Sequence, residues 1–406
     1  MENALMRERN NGKLLSAGLI WLIAFACGAM VANLYYPQTL IEEIGPEIGL
    51  SKALAGMIVT LTQLGYGLGL LFFVPLGDLF ENRRLALLTL GGTFLGCLAI
   101  ARSEGPATFL AASLITGVCA TGAQVLLPLA SHLSAPGRQG HIIGQIMSGL
   151  LGGIMLARPF ASFVTELWGW RSVYYLSAAL MALIGGALAF TLPRRVPPKQ
   201  KGYSAILVSM ISLAREHRQL RLRSFYQAAM YTAFNLFWTV APLVLLRRFD
   251  FTQNGIALFA LAGAGGALAA PLAGALADRG MTRLTTLIAH VLLVLCFLAA
   301  DAVVAAGSVV AFVITALLID GAVQLNQITS QKIIFDISDE ARSRVNSIYL
   351  TSMFVIGASG SLIGSASFEA GGWSLAAGIG AVIGAISLTV FFLLDRPTHT
   401  LETRPE

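Results

Sequence analysis

Apolar stretches of about twenty residues recur along this chain, each closed by a short polar break. Twelve can be marked: 14–40, 53–77, 85–101, 107–130, 142–165 and 173–192, then 224–246, 255–277, 284–303, 308–332, 345–368 and 373–394. A hydrocarbon core of about 30 Å takes roughly 20 helical residues to cross. The breaks carry helix-ending punctuation at Pro106, Pro136-Gly137, Gly169 and Gly307. The pattern therefore predicts an all-α polytopic membrane protein with twelve transmembrane helices. The first run follows Arg7, Arg9 and Lys13, as a signal peptide would, but it is too long for a signal core and no small-residue cleavage site follows it. It is expected to be retained as a helix.

Composition removes the soluble alternatives. Apolar residues make up 56% of the 406 and charged ones 12%, with mean hydropathy +0.74. Soluble domains carry about 25% charged residues, so this chain lacks the surface that water requires. Charge then sets orientation. With a cytoplasmic N-terminus, cytoplasmic segments hold 21 of the 27 Lys and Arg, five lie outside, and Arg158 lies within a span. Both termini are thus expected in the cytoplasm, with the chain in the cell (inner) membrane. The net charge of +6 is mostly a topology signal and an attraction to anionic lipid. No base-reading basic face exists, so nucleic acid is not an expected partner. Cys27, Cys97, Cys119 and Cys296 are single and within spans, which reads as packing, with no metal site.

The halves repeat. Pro75-Leu76-Gly77-Asp78 ends the second span, and Gly274-Ala275-Leu276-Ala277-Asp278-Arg279 ends the eighth, with the aspartates 200 residues apart. Glu166-Leu167-Trp168-Gly169-Trp170 returns as Glu369-Ala370-Gly371-Gly372-Trp373 at an offset of 203. A duplicated six-helix unit follows. The domains are 1–192, a linker at 193–223, and 224–406 with a short cytoplasmic tail. Pro193, Pro197 and Pro198 stop the sixth helix. From Tyr203 to Leu220, Ile206, Met210 and Leu213 share one side, which predicts an amphipathic helix on the inner leaflet.

Six plus six helices, a basic central loop and a repeated Asp-containing turn resemble the major facilitator superfamily. The local stretches that carry the likeness are Thr62-Gln63-Leu64-Gly65-Tyr66-Gly67-Leu68-Gly69 leading into Pro75-Leu76-Gly77-Asp78, and Arg342-Ser343-Arg344-Val345-Asn346. They are similar to bacterial exporters near the drug:proton antiporters. The superfamily's loop signature, Gly-x-x-x-Asp-Arg-x-Gly-Arg-Arg, survives in part. The second copy keeps Gly274, Asp278, Arg279 and Arg283 but has Met281 at the inner Gly. The first keeps Asp78, Arg83 and Arg84 but has Leu79 and Val74 at the Arg and leading Gly. The resemblance implies a gating role for Asp78, Arg83, Arg84, Asp278 and Arg279, with Asp78 facing the start of span 11. Span 5 matches the antiporter pattern at Gly144 and Gly153 only, with Ala157-Arg158-Pro159 in place of Gly-Pro. In span 4, Ser113 replaces an Arg that many proton-coupled members carry.

A charge in mid-membrane costs at least about 2.5–3.5 kcal/mol, so each needs a reason. Asp320 lies about 18 Å from the outer edge at 1.5 Å per residue, near the midplane. That position suits a proton-coupling or substrate-binding carboxyl, with a structural hydrogen bond as the competing reading. Arg158 lies about 24 Å from the inner edge, so a static pair with Asp320 is not favoured. It snorkels outwards, attracts an anionic substrate or bridges the halves in one state. The resemblance implies that spans 1, 4, 7 and 10 line a central cavity. Span 10 sets Asp320, Gln324 and Gln327 on one face, and span 7 sets Gln227, Tyr231, Asn235 and Trp238 on another. Span 1 adds Asn33 and Tyr36, span 4 Gln124, and span 2 Gln63 and Tyr66. Interhelical hydrogen bonding accounts for some of these. As a set they are candidate substrate contacts, suited to an amphipathic or cationic organic molecule. His290, in a peripheral helix, reads as snorkelling or hydrogen-bonded.

The expectation is a monomeric secondary transporter that moves a small organic solute outwards by alternating access in exchange for protons, with no cofactor beyond the proton gradient. A proton-linked importer or facilitator of a polar nutrient is the alternative. A membrane-embedded enzyme or a receptor ranks below both, since no HExxH, GxSxG or workable carboxylate pair is present.

Overall fold

The computed structural model describes residues 16–134, 139–196, 202–263, 265–266, 269–338 and 341–395. They contain no strand. The first half comprises α1 (Ala17–Ala32), α2 (Ile41–Glu47), α3 (Met57–Phe72), α4 (Asn82–Ala101), α5 (Pro106–Ala120), α6 (Gly122–His132), α7 (Gln139–Trp168) and α8 (Trp170–Thr191). A short helix, α9 (Tyr203–Glu216), leads to the second half. That half holds α10 (Arg218–Phe249), α11 (Gln253–Gly263), α12 (Ala269–Asp278), α13 (Thr282–Ala305), α14 (Val309–Phe335), α15 (Arg342–Gly357) and α16 (Ser359–Leu394).

These helices make twelve crossings among the described residues. Nine helical stretches are long and apolar enough to cross by themselves. One of them, Arg342–Leu394, is two crossings, because the backbone breaks at Gly371 and Gly372 within α16. The short α1 supplies another, and α11 with α12 supply the eighth. Leu88, Leu183, Phe190 and Leu258 stay exposed around the outside, where lipid replaces water as the solvent. The chain is a multi-pass membrane protein whose environment is lipid.

Within the first half, α3 packs on α5, α1 on α7 and α4 on α8. Within the second, α10 packs on α16 and α15, and α13 on α14. Glycine permits the closest approaches. A methyl on Gly117 of α5 would collide with the Thr62 carbonyl of α3, and Gly153 of α7 lies directly against Gly28 of α1. Gly144, the other glycine of the antiporter-like pattern, meets nothing. Between halves, α3 packs on α15 and α7 on α11.

Three boundaries differ from expectation. The first apolar run is not one helix to residue 40, since α1 ends at Ala32 and a 3-10 turn, Tyr36–Thr39, follows around Pro37. Proline has no N–H to continue the ladder. The amphipathic helix stops at Glu216, before a non-helical His217, and the next helix starts at Arg218, ahead of 224. Arg223 in its second turn donates to Asp395 at 2.8 Å, a buried ion pair that favours an early start. Finally, α9 rests on protein. Ile206 and Met210 are buried, Tyr203 Oη donates to the Phe72 carbonyl at 2.9 Å, and Ser209 accepts from Arg344 at 2.7 Å. It touches both halves at once, while Val208 and Ile211 stay exposed.

Candidate functional site

The end where α1 begins and α16 finishes is called here the terminal end, and the opposite one the remote end. Polar residues from both halves converge between the midplane and the remote end. Asn235 of α10 is fully buried at their centre. Its carbonyl oxygen accepts from Gln38 and from Gln63, each at 3.0 Å. Its Nδ2 donates to Gln63 Oε1 at 2.6 Å and to the Gly357 carbonyl at 3.0 Å. Beside it, the hydroxyls of Tyr35 and Tyr231 meet at 3.1 Å. Buried amides satisfied in this way hold two surfaces together with high geometric specificity, because an unpaired partner would cost the full desolvation penalty.

Arg158 continues the chain. Its Nε donates to Gln38 Oε1 at 2.7 Å, and its guanidinium carbon lies 4.0 Å from the centre of the Trp238 ring. Tyr35 and Phe234 flank it at 5.3 and 5.2 Å. A desolvated cation over an indole face gains about 2 kcal/mol or more. On the ring's edge, Trp238 Nε1 donates to Asp320 Oδ1 at 2.6 Å. Among the described residues, the two charges deep in the membrane thus meet through one indole. No direct Arg158–Asp320 ion pair occurs, as their different depths led us to expect. The cation belongs to the first half, while the indole and the carboxyl belong to the second. The Gly266 backbone fits against the Asp320 side chain, where a larger residue would collide.

Nearer the terminal end, Asn326 donates to Gln227 at 2.7 Å, and Gln227 donates to Gln327 at 3.4 Å. Gln124 donates to the Tyr66 hydroxyl at 3.1 Å. Gln324 and Gln327 are half-buried. Two expected contacts lie elsewhere. Asn33 accepts from Ser177 at 2.7 Å and from Cys97 at 3.2 Å, and Tyr36 packs against Phe160, 5.8 Å between centres. Both face the interior of the first half, Asn33 as the helical C-cap of α1 and Tyr36 because the turn after α1 rotates the chain. The same rotation brings Tyr35 and Gln38 to the junction, and Asn326 joins it from α14. Sequence reading passed over these three. The alternation Tyr35–Gln38 across a proline turn was the signal for two of them.

Of the signature residues, Arg83, Arg84 and Asp278 bond within their own halves. Arg83 donates to the Ala189 carbonyl, Arg84 pairs with Glu81 at 2.9 Å, and Asp278 pairs with Lys332. The Asp78 side chain lies outside the described residues. His290 is hydrogen-bonded to the Thr286 carbonyl at 2.8 Å and to Ser387 at 2.9 Å. At the remote rim, Arg247 binds Glu42 across the halves and Glu369 at 2.7 Å within its own half. Gln253 adds a second crossing bond, to Glu43 at 3.2 Å.

Two six-helix halves sealed at one end over a buried polar centre define a membrane transporter that works between two halves. The sequence profile of the Major Facilitator Superfamily matches residues 19–300 and 223–406, and the chain belongs to that superfamily. It is 40% identical over 383 residues to "Uncharacterized transporter YgaY" of Escherichia coli O157:H7, covering 93% of this chain and 96% of that one. It is 24% identical over 165 residues to "Purine ribonucleoside efflux pump NepI" of Escherichia coli O6:K15:H31, covering 40% and 42%. In fold it is similar to the crystal structure of nucleoside transporter NupG, with a TM-score of 0.74 at 14% identity, covering 93% of this chain and 100% of that one. Its cargo is a small molecule.

Proposed function

We propose that the protein exports a small organic solute across the cell (inner) membrane in exchange for protons, with Asp320 as the proton-carrying group. It acts as a monomer with both termini in the cytoplasm and draws on no cofactor beyond the proton gradient. One observation carries this reading. Trp238 stands between a cation of one half and a carboxyl of the other, so the charge on Asp320 bears directly on the contact that joins the halves. With Asp320 ionised, its carboxylate holds the indole edge and balances Arg158. With Asp320 neutral, Arg158 is left as an uncompensated buried charge, and the sealed form loses stability relative to one open to solvent. A proton thereby biases alternating access.

The amides Gln227, Asn235, Gln324 and Gln327 and the rings of Tyr231 and Trp238 suit a planar, amphipathic solute with hydrogen-bonding edges. Gln124 adds an edge contact from the first half. The partial likeness to a purine ribonucleoside efflux pump supports export and places nucleosides among the solutes to try. The loop signatures at Asp78, Arg83 and Arg84, and at Asp278 and Arg279, are assigned to the gate of the terminal end.

The test is transport by reconstituted protein, with purine ribonucleosides and amphipathic cations supplied under imposed pH gradients. Asp320→Asn should fold normally and lose pH-driven flux by about tenfold or more, the range of typical coupling free energies. Flux that keeps its pH response in that variant would remove Asp320 from the mechanism.

A further inference from the structure

Arg158, Ser162 and Thr165 of α7 fall at the spacing that puts three side chains on one helix face. All three are buried, and each has a polar atom without a protein partner: Nη2 of Arg158 and the hydroxyls of Ser162 and Thr165. Because α7 runs from the terminal to the remote end, Ser162 and Thr165 lie about 6 and 10 Å beyond Arg158 at 1.5 Å per residue. Thr39 Oγ1, in the turn packed on α7, and Gln253 Oε1, on α11 packed on α7, are likewise buried and unpartnered. An unmade hydrogen bond of this kind carries the full desolvation penalty, and buried polar groups that lack protein partners are the ones water satisfies. Such a run of unmet groups makes poor packing and a good wetting surface.

A second polar line runs the other way. Gln324 and Gln327 of α14 lie one and two turns from Asp320 towards the terminal end, and both are half-buried. The two lines meet at Trp238, with Arg158 on its face and Asp320 on its edge. One leg belongs to each half of the molecule.

We infer that Ser162 and Thr165 form the remote-side leg of the proton path to Asp320, and that Trp238 separates it from the terminal-side leg. The inference rests on the reading of Asp320 as the proton carrier. The Asp320 carboxylate takes a proton from a water wetting the Ser162–Thr165 face, and that water draws its replacement from the remote medium. After the halves rock, the carboxyl returns the proton to water along Gln324 and Gln327. Asp320 faces few other charges. Arg158 comes from α7 and Tyr35 from the turn after α1, while α10 brings Trp238 and the α11–α12 segment brings Gly266. On the helices packed around α14, Arg223 is bound to Asp395, His290 to Ser387 and Asp301 to Ser374.

The test needs no cargo. Trp238 fluorescence, isolated by subtracting the Trp238→Phe signal, is followed after a pH jump on the remote side of proteoliposomes sorted to one orientation. Ser162→Ala with Thr165→Val should slow the response several-fold, leave its amplitude unchanged and leave thermal stability equal or higher. Ser162→Thr, which keeps the hydroxyl, should respond at the wild-type rate, and a response unchanged in the double variant overturns the path. Lower stability with unchanged kinetics likewise overturns it, since that outcome marks a packing role. Asp320→Asn should abolish the signal. If it does not, the carrier assignment fails whatever Ser162 and Thr165 do.

Discussion

Phe109 and Trp170 in the first half meet edge to face at 5.9 Å, and Phe312 and Trp373 in the second meet in the same way at 5.5 Å. Both members of the second pair lie 203 residues after those of the first. The chain turns just before each Trp at a glycine of positive φ, 78° at Gly169 and 69° at Gly372. The same offset carries Gly117 onto Asp320, and there the likeness ends. Gly117 lets α5 lie against the Thr62 carbonyl, whereas Asp320 holds Trp238. The scaffold is duplicated and the chemistry is not. A charge on one half alone can meet a partner from the other half in one conformation and leave it in the next.

That contrast is sharpest in the two helices that carry it. Gly117→Val should be the most damaging single change, because its side chain must enter the Thr62 carbonyl. Overpacking costs about 1–3 kcal/mol where neighbours can shift and more where they cannot. Here rigid backbone on both sides allows so little relief that the loss should exceed that of any large-to-small change. Thermal unfolding and gel filtration in detergent should show loss of monodisperse protein. The Asp320→Asn protein, altered at the equivalent place, should run as wild type. Equal damage at both positions would mean that Asp320 is packing, with no chemical role.

Next come the repeated tryptophans. Trp170→Ala and Trp373→Ala each remove a buried indole, at a cost of about 3–5 kcal/mol. The two losses should agree within about 1 kcal/mol, since each ring sits in the same aromatic corner. Trp373 also donates to the Ala300 carbonyl at 3.1 Å, which tilts the balance slightly towards a larger loss in the second half. Calorimetric midpoints that differ widely would show that the halves are alike in outline only.

Much of the scaffold was legible in the sequence for a simple reason. In lipid, backbone groups must be satisfied within the helix, so an apolar run of sufficient length has one available structure. The offset of 203 likewise survived in residues that pack, such as Trp170 and Trp373. The junction was legible only in part. Helical spacing set Asn235 and Trp238 on one face of α10 and Asp320 on one face of α14, because both helices are continuous there, and the superfamily resemblance turned those faces to a common cavity. It misplaced Tyr36 because Pro37 and the turn before it abandon that spacing, and Asn33 because the face it takes at the end of α1 looks into the first half. Depth along the chain separated Arg158 from Asp320, and a long guanidinium stem and an indole between them closed the gap. Periodicity carries no information about a bridge made by a third side chain.

The remote rim sets the smallest of these effects. Arg247 joins Glu42 of one half to Glu369 of the other, but its side chain is 34% exposed, so water and salt screen both bonds. Pairs of this kind contribute about 0.2–1 kcal/mol, far below the buried network of Gln38, Gln63 and Asn235. Arg247→Ala should therefore loosen the seal without breaking it, raising the share of molecules open at the remote end by about fivefold at most, the factor that 1 kcal/mol supports. Labelling of a cysteine placed at Ala55, which is buried at the remote end outside the amide network, reads that share directly, and Arg247→Lys should restore most of the protection. The effect should also shrink in high salt, because a screened pair has less to lose. An increase far above fivefold would make the rim the principal lock and demote the amides beneath it. Labelling that is independent of both residue and salt would leave the whole closure to the buried centre, where the two unlike halves share one indole.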